Sequence, residues 1–219
     1  MQIAKYLHSC LLFEEEGHRL LFDPGTISFA EGRVTPEMFG DIDTVVITHS
    51  HPDHLDISAL KQIAARGNPS IIANDEVAAI LAQEGMGATV LNEGELSAGP
   101  FRLRAIPTPH EAILADRLPQ HTAYLVNERV LNAVDSFGQP LLAYAGIDTL
   151  IMPVMAPFLT EVGAFAFAKA MRPRQVIPIH DGYSKEFFLR LRHDNYAQQF
   201  ERIGVEFHRL MEPGESVTV

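Results

Sequence analysis

The sequence predicts an α/β fold, a four-layer αββα sandwich in which two mixed β-sheets pack face to face with helices outside. Strand-like and helix-like segments alternate in two separate stretches, which calls for helices layered on sheets. Each alternating stretch follows a run of strands alone, giving a pseudo-twofold order without sequence repetition. No linker, low-complexity segment or repeat period interrupts the chain, so residues 1–219 are expected to form one domain.

The elements follow in chain order. Residues 2–22 contain short β-rich runs, IAKYL, CLLF and RLLF, broken by a charged turn at 14–18, which reads as a meander. TVVIT is an apolar run of buried-strand length, and residues 57–66 then place Ile57, Leu60, Ile63 and Ala64 at helical spacing. SIIA is a strand, 75–84 a helix and ATVLN a strand. A second meander comprises FRLRAI, HTAYLV and RVLNAV, with Asn127-Glu128 as a turn. Helices are expected at 139–145, 160–171 and 185–203, strands at TLIMPV and QVIPI, and terminal strands at 205–209 and 215–219.

Composition narrows the function. Seventeen basic and twenty-eight acidic side chains give a net charge of −11. That weighs against nucleic acid, whose non-specific affinity comes from Lys and Arg displacing counterions, and leaves small anionic substrates open. Cys10 is the only cysteine, which rules out an intrachain disulfide and any Cys-based zinc or iron–sulfur centre; it reads as a small buried apolar residue. The N-terminus lacks a basic segment followed by an unbroken apolar run. The most apolar stretch, 150–171, contains Pro153, Pro157, Glu161 and Lys169 and does not suit a bilayer span. A cytoplasmic protein acting on a small-molecule substrate, with neither membrane nor nucleic acid as partner, is expected.

The chemistry concentrates in Thr48-His49-Ser50-His51-Pro52-Asp53-His54-Leu55-Asp56, directly after the strand TVVI. Open α/β sheets place ligands at the carboxyl ends of their strands. In extended backbone residues i and i+2 face the same way, so His49 and His51 can reach one metal. Pro52 turns the chain, sending Asp53 and His54 elsewhere, and Asp56 is a fitting N-cap for the helix that follows. His110, Asp135 and His180 each close or follow another short apolar strand. Five histidines and two aspartates exceed the three protein ligands of a catalytic zinc. They fit three ligands for each of two ions and one bridging carboxylate, with room between the ions for a shared water or hydroxide. Imidazole and carboxylate without thiolate suit two divalent ions, zinc foremost, manganese or iron otherwise.

On these residues the chain resembles the metallo-β-lactamase superfamily, whose HxHxDH signature is matched by His49, His51, Asp53 and His54, and whose later ligands are matched by His110, Asp135 and His180. Within it the chain is similar to the compact UlaG-like, metal-dependent hydrolase branch, through LIMPV, Thr160 and RPRQVIPIH. The resemblance implies that His49, His51 and His110 hold one metal, that Asp53, His54 and His180 hold the other, and that Asp135 bridges. It also implies a catalytic part for Asp53 in orienting the bridging hydroxide or taking its proton. His8 falls where the family often carries a rim histidine, and Asp23 is expected to support a ligating His from behind.

The remaining histidines read as bystanders: His121 as structural, and His18, His193 and His208 as solvent-exposed. Loops 26–41, 111–120 and 154–160 are expected to border the metals, bringing Phe29, Met38, Phe39, Met155 and Phe158 to the rim, with Arg33, Arg117 and Lys185 as the only nearby cations. The expected function is a dinuclear metal-dependent hydrolase that uses a bridging hydroxide on an ester, lactone or phosphoester bond of a small molecule. The alternatives are a phosphodiesterase or nuclease of the same fold, and a metal-binding ligand sensor with little turnover.

Overall fold

Strands β1 (Gln2–Lys5), β2 (Leu11–Glu15) and β3 (His18–Phe22) pair antiparallel in succession in the computed structural model, which describes residues 1–219. A short helix, α1 (Thr26–Phe29), and a 3-10 turn at Pro36–Phe39 lead to β4 (Thr44–Ile47), α2 (Ile57–Gly67), β5 (Ser70–Ala73), α3 (Asp75–Gln83) and β6 (Thr89–Val90). The next run, β7 (Gly94–Ala98), β8 (Phe101–Pro107), β9 (Thr122–Val126) and β10 (Val130–Asn132), is an antiparallel meander. After a 3-10 turn at Gln139–Tyr144 come β11 (Thr149–Pro153), α4 (Glu161–Met171), β12 (Gln175–Ile179), α5 (Glu186–Glu201), β13 (Glu206–Phe207) and β14 (Glu215–Thr218). The sheets order as β14-β1-β2-β3-β4-β5-β6 and β13-β12-β11-β10-β9-β8-β7. Helix-linked neighbours β4 and β5, and β11 and β12, run parallel, as crossover connections require.

Strand periodicity builds the layers. Leu11 and Phe13, Leu20 and Phe22, and Val46 enter the core between the sheets, where they meet Phe101, Leu103, Tyr124, Ile151 and Ile177. The alternate residues Leu12, Leu21, Val45 and Ile47 face Leu60, Ile63, Val77 and Leu81 of α2 and α3. On the other sheet Leu150, Met152 and Val176 face Phe167 and Met171 of α4 and Tyr196 and Phe200 of α5. Both faces of each sheet are therefore covered, and the expected four layers are present. No helix is long and apolar enough to cross a membrane.

The main differences from the expected elements are three. The helix at 139–145 is a 3-10 turn ending at Tyr144, the strand at ATVLN shrinks to Thr89–Val90, and β7 is additional. GELSA forms the edge of its sheet with mostly solvent-facing residues, so it lacks the apolar alternation by which a strand is recognised.

Site geometry follows from topology. His49 comes after β4, His110 after β8, Asp135 after β10 and His180 directly after β12, so four strand ends open onto one rim. Several residues at this rim, His8 (φ 52°), Asp23 (φ 45°), Val134 (φ 53°) and His180 (φ 65°), are held in the left-handed region. Each such residue costs on the order of 1–3 kcal/mol, and such strain persists only where the surroundings fix it.

Candidate metal centre

The HxHxDH segment is wound tightly. The N–H groups of His54 and Leu55 both donate to the His51 carbonyl, at 2.9 Å each, folding His54 back beside His49. The Asp56 N–H donates to the Pro24 carbonyl (3.1 Å), and the Asp56 carboxylate caps α2 by accepting from the Ala59 N–H (3.0 Å). The expected N-cap is thus in place. Gly25 lies so close to this turn that a Cβ there would run into the Asp53 carbonyl.

The seven side chains singled out in the sequence converge in two groups that share one carboxylate. His49, His51, His110 and Asp135 form the first group; Asp53, His54 and His180, joined by His8, form the second. Asp135 belongs to both by distance: its Oδ2 lies 3.8 Å from His49 Nε2, 3.3 Å from His110 Nε2, 3.4 Å from His54 Nε2 and 3.0 Å from His180 Nε2. Asp53 Oδ2 lies 3.3 Å from His180 Nε2 and 3.9 Å from His54 Nε2.

Hydrogen bonds behind the rings set which nitrogen faces inward. Asp23 accepts from the Thr48 N–H (2.9 Å), the Thr48 hydroxyl (2.8 Å) and His54 Nδ1–H (2.9 Å). With its proton given to Asp23, the Thr48 hydroxyl accepts from His49 Nδ1–H (3.1 Å). His110 Nδ1–H donates to the Glu111 carbonyl (2.6 Å) and His180 Nδ1–H to the Met155 carbonyl (2.8 Å). In all four rings Nε2 is left to face Asp135, the arrangement by which outer partners orient metal-ligating histidines. His8 is the opposite case: its Nδ1 accepts from the Gly182 N–H (3.2 Å), so Nε2 carries the proton and donates to Asp53 Oδ2 (3.1 Å). His8 therefore stands at the rim as a donor to Asp53. Asp23 stands behind His54, bonded to its Nδ1.

The donor set fits divalent cations. His54 Nε2, His110 Nε2 and Asp135 Oδ1 are buried without a hydrogen-bond partner, which is costly unless something positive completes them. The acid–base state agrees. Burial pulls His180 down, but Asp135 and Asp53 outweigh it and raise the ring to about 9. His54 is raised well above its ordinary range, since Asp135 and Asp23 overcome burial. Burial alone would lift Asp135, yet His180 and His54 hold it well below the carboxylate range. Asp53 is likewise held far down, burial being overcome by donation from His180 and His8. A cation bound among these groups would compete with protons for the same inward nitrogens. His49 and His51 are depressed chiefly by burial and stand ready as neutral ligands.

Sequence reasoning missed several residues. His121, read as structural, is buried and accepts the Asp135 N–H at Nε2 (3.1 Å), fixing the shared carboxylate from behind; burial lowers it to about 3. His193 is fully buried, which overturns the expectation of exposure: its Nε2 meets Asp181 Oδ2 at 3.2 Å, and buried Lys5 Nζ meets the same oxygen at 2.6 Å. His18 and His208 are also partly buried, bonded to Thr44 (3.1 Å) and Gln175 (2.8 Å). Cys10 is buried as expected.

The rim needs correction too. The cavity over the site is about 270 Å³; its floor is His51, Asp53, His110, Asp135 and His180, and its walls are Ile113, Pro157, Phe158 and Tyr183. No residue of 26–41 lines it. Phe39 is instead buried in the outer core, edge-on to Tyr6, with Phe29 beside it. Arg33 and Arg117 are paired with Glu212 and Glu76 (2.8 Å for the latter), and neither they nor Lys185 reach the cavity. Tyr183, not foreseen, donates its hydroxyl to the Met155 carbonyl (3.0 Å).

Comparison with known proteins identifies the family and the fold. The model of the beta-lactamase superfamily domain matches residues 2–180. A Mycobacterium tuberculosis protein, Rv0786c, is 31% identical over 82% of this chain and 84% of its own length. A metal-dependent hydrolase of Carboxydothermus hydrogenoformans is 23% identical over the whole of both chains. Among solved structures, the metallo hydrolase Igni18 of Ignicoccus hospitalis superposes with a TM-score of 0.74 at 20% identity, covering 99% of this chain and 97% of its own. An isothiocyanate hydrolase from Delia radicum gut bacteria superposes with a TM-score of 0.76 at 16% identity, covering 100% and 99%.

Proposed function

The chain belongs to the beta-lactamase superfamily, and from that premise we propose that it is a metal-dependent hydrolase whose centre holds two divalent cations and acts on a small molecule. His49, His51 and His110 would hold one cation, Asp53, His54 and His180 the other, and Asp135 both. Cations bound there would supply Lewis acidity to the scissile bond and make water acidic enough to act as a nucleophile near neutral pH. Zinc is the first candidate, with manganese or iron suited to the same ligands.

The chain's own residues supply orientation. Asp53 is the one site carboxylate with solvent access, its side chain 22% exposed against 1% for Asp135. Held far below the ordinary carboxylate range, it is a weak base. It therefore acts by accepting a hydrogen bond from attacking water and aiming it, with His8 fixing the oxygen that is not so used.

The observation that carries this reading is the single Asp135 oxygen within 3.8 Å of four inward imidazole nitrogens drawn from both groups. Asp135→Asn tests it. Affinity for both cations should fall by more than the 10–100-fold typical of losing an outer partner, and hydrolysis should vanish while the fold remains. A variant that keeps both cations and full turnover would refute the shared-carboxylate centre.

A further inference from the structure

The cavity walls discriminate between the bond types that the centre could hydrolyse. Phe158 lies edge-on to one histidine of each group, with ring centroids 5.6 Å from His110 and 5.5 Å from His180. Tyr183 stands nearly perpendicular to His180 at 5.7 Å, and its only donor is spent on the Met155 carbonyl. With Ile113 and Pro157 these rings complete the wall. No lysine or arginine lines the cavity, and the arginines near it in sequence are neutralised by Glu76 and Glu212.

A phosphoester brings at least one formal charge and oxygens that need donors beyond the reacting centre, usually arginine or lysine. Here the walls offer neither. They offer apolar contact in about 270 Å³, slightly below the roughly 300–1,000 Å³ of sites for drug-sized ligands. Resting on the hydrolase reading above, we propose that the substrate is an uncharged carbonyl ester or lactone with a short apolar acyl or aryl group seated between Phe158 and Tyr183. The balance is that of simple hydrolysis. Water oxygen bonds to the acyl carbon, and the acyl C–O bond breaks with its electron pair on the alkoxy oxygen. One water proton goes to that oxygen and the other is released from the acid.

The test uses matched leaving groups on the zinc- or manganese-loaded protein: 4-nitrophenyl acetate, butyrate and hexanoate against 4-nitrophenyl phosphate and bis(4-nitrophenyl) phosphate. The carboxyl esters should win by at least a hundredfold in kcat/KM, with about a fourfold gain for each methylene the walls cover, and Phe158→Ala should flatten that gain through KM. A preference for either phosphoester, or indifference to acyl length, overturns the proposal while leaving the hydrolase reading intact. Binding is read separately from turnover, because the chain has no tryptophan and Phe158→Trp or Tyr183→Trp supplies a sole reporter. With none of the five substrates turned over, the hydrolase reading falls and the ester assignment falls with it. Tighter binding of 4-phenylbutyramide than of butyramide and phenyl phosphate supports the apolar seat between the walls, and tighter binding of phenyl phosphate, or no response from either reporter, overturns it.

Discussion

Asp23→Asn should disable one cation position without touching a ligand. Asp23 faces three donors: the Thr48 N–H, the Thr48 hydroxyl and His54 Nδ1–H, at 2.8 to 2.9 Å. A carboxylate accepts all three, whereas an amide has one acceptor oxygen and an NH2 group. If the amide oxygen faces His54, the NH2 opposes the buried Thr48 N–H, and an unsatisfied backbone donor costs about 1–3 kcal/mol. If it faces the Thr48 N–H, the NH2 opposes His54 Nδ1, and His54 can relieve the clash only by moving its proton to Nε2. That protonates the nitrogen facing Asp135 and closes it to a cation. Either route should cost about 10–100-fold in affinity at the position shared by His54, Asp53 and His180, equivalent to about 1.4–2.8 kcal/mol at about 1.4 kcal/mol per tenfold. Chelator competition with metal analysis should show the larger loss at the His54–Asp53–His180 position and a smaller one at the His49–His51–His110 position, because the Thr48 hydroxyl that accepts from His49 is itself bonded to Asp23. Two cations held at wild-type affinity would refute the claim that Asp23 sets the His54 tautomer.

Three further outcomes are expected. Asp135 and Asp53 raise the folded chain's His180 to about 9, against about 6.5 when unfolded. This raised value contributes stability in full below pH 6.5 and loses it as pH rises through 9; because a cation must displace the same proton, affinity should climb with pH up to about 9. Calorimetry in buffers of different ionisation enthalpy should find about two protons released, from His54 and His180, as the site fills. His8 should show its proton on Nε2 in long-range ¹H–¹⁵N spectra of the loaded protein; a cation-bound Nε2 would make it a ligand instead. Gly25→Ala, which drives a Cβ into the Asp53 carbonyl, should destabilise the fold by about 1–3 kcal/mol and weaken cation binding, as read by denaturant unfolding and chelator competition.

How far the site was legible follows from how local each determinant is. His49, His51, Asp53 and His54 stand together in the sequence after a strand, and that strand is where the structure puts them. His110, Asp135 and His180 could be picked out because each ends a short apolar run. The hydrogen bonds that assign their nitrogens mostly use neighbours that spacing does not mark. Thr48 and Glu111 are adjacent to the rings they orient, but Met155 is 25 residues from His180 and Gly182 is 174 from His8. His8 thus had a visible place and an invisible role.

The same distinction explains the errors at the rim and on α5. An apolar residue in a loop has two destinations, core or cavity, and sequence does not say which. Phe39 goes to the core because the 3-10 turn at Pro36–Phe39 carries it onto Tyr6; Phe158 goes to the cavity because the His110 and His180 imidazoles brace it. His193 looked solvated because α5 has polar residues all round, and its burial depends on Lys5 and Asp181, brought in by β1 and the end of β12. That buried cluster sits directly behind His180, whose left-handed backbone joins β12 to Asp181. The turn that follows the strained His180 is therefore held at two points. Lys5 and His193 grip Asp181, and the Gly182 N–H donates to His8. His180, which closes the second group, is placed by residues from β1, the turn after it and α5, so the N-terminal strand helps build the candidate centre alongside the HxHxDH segment.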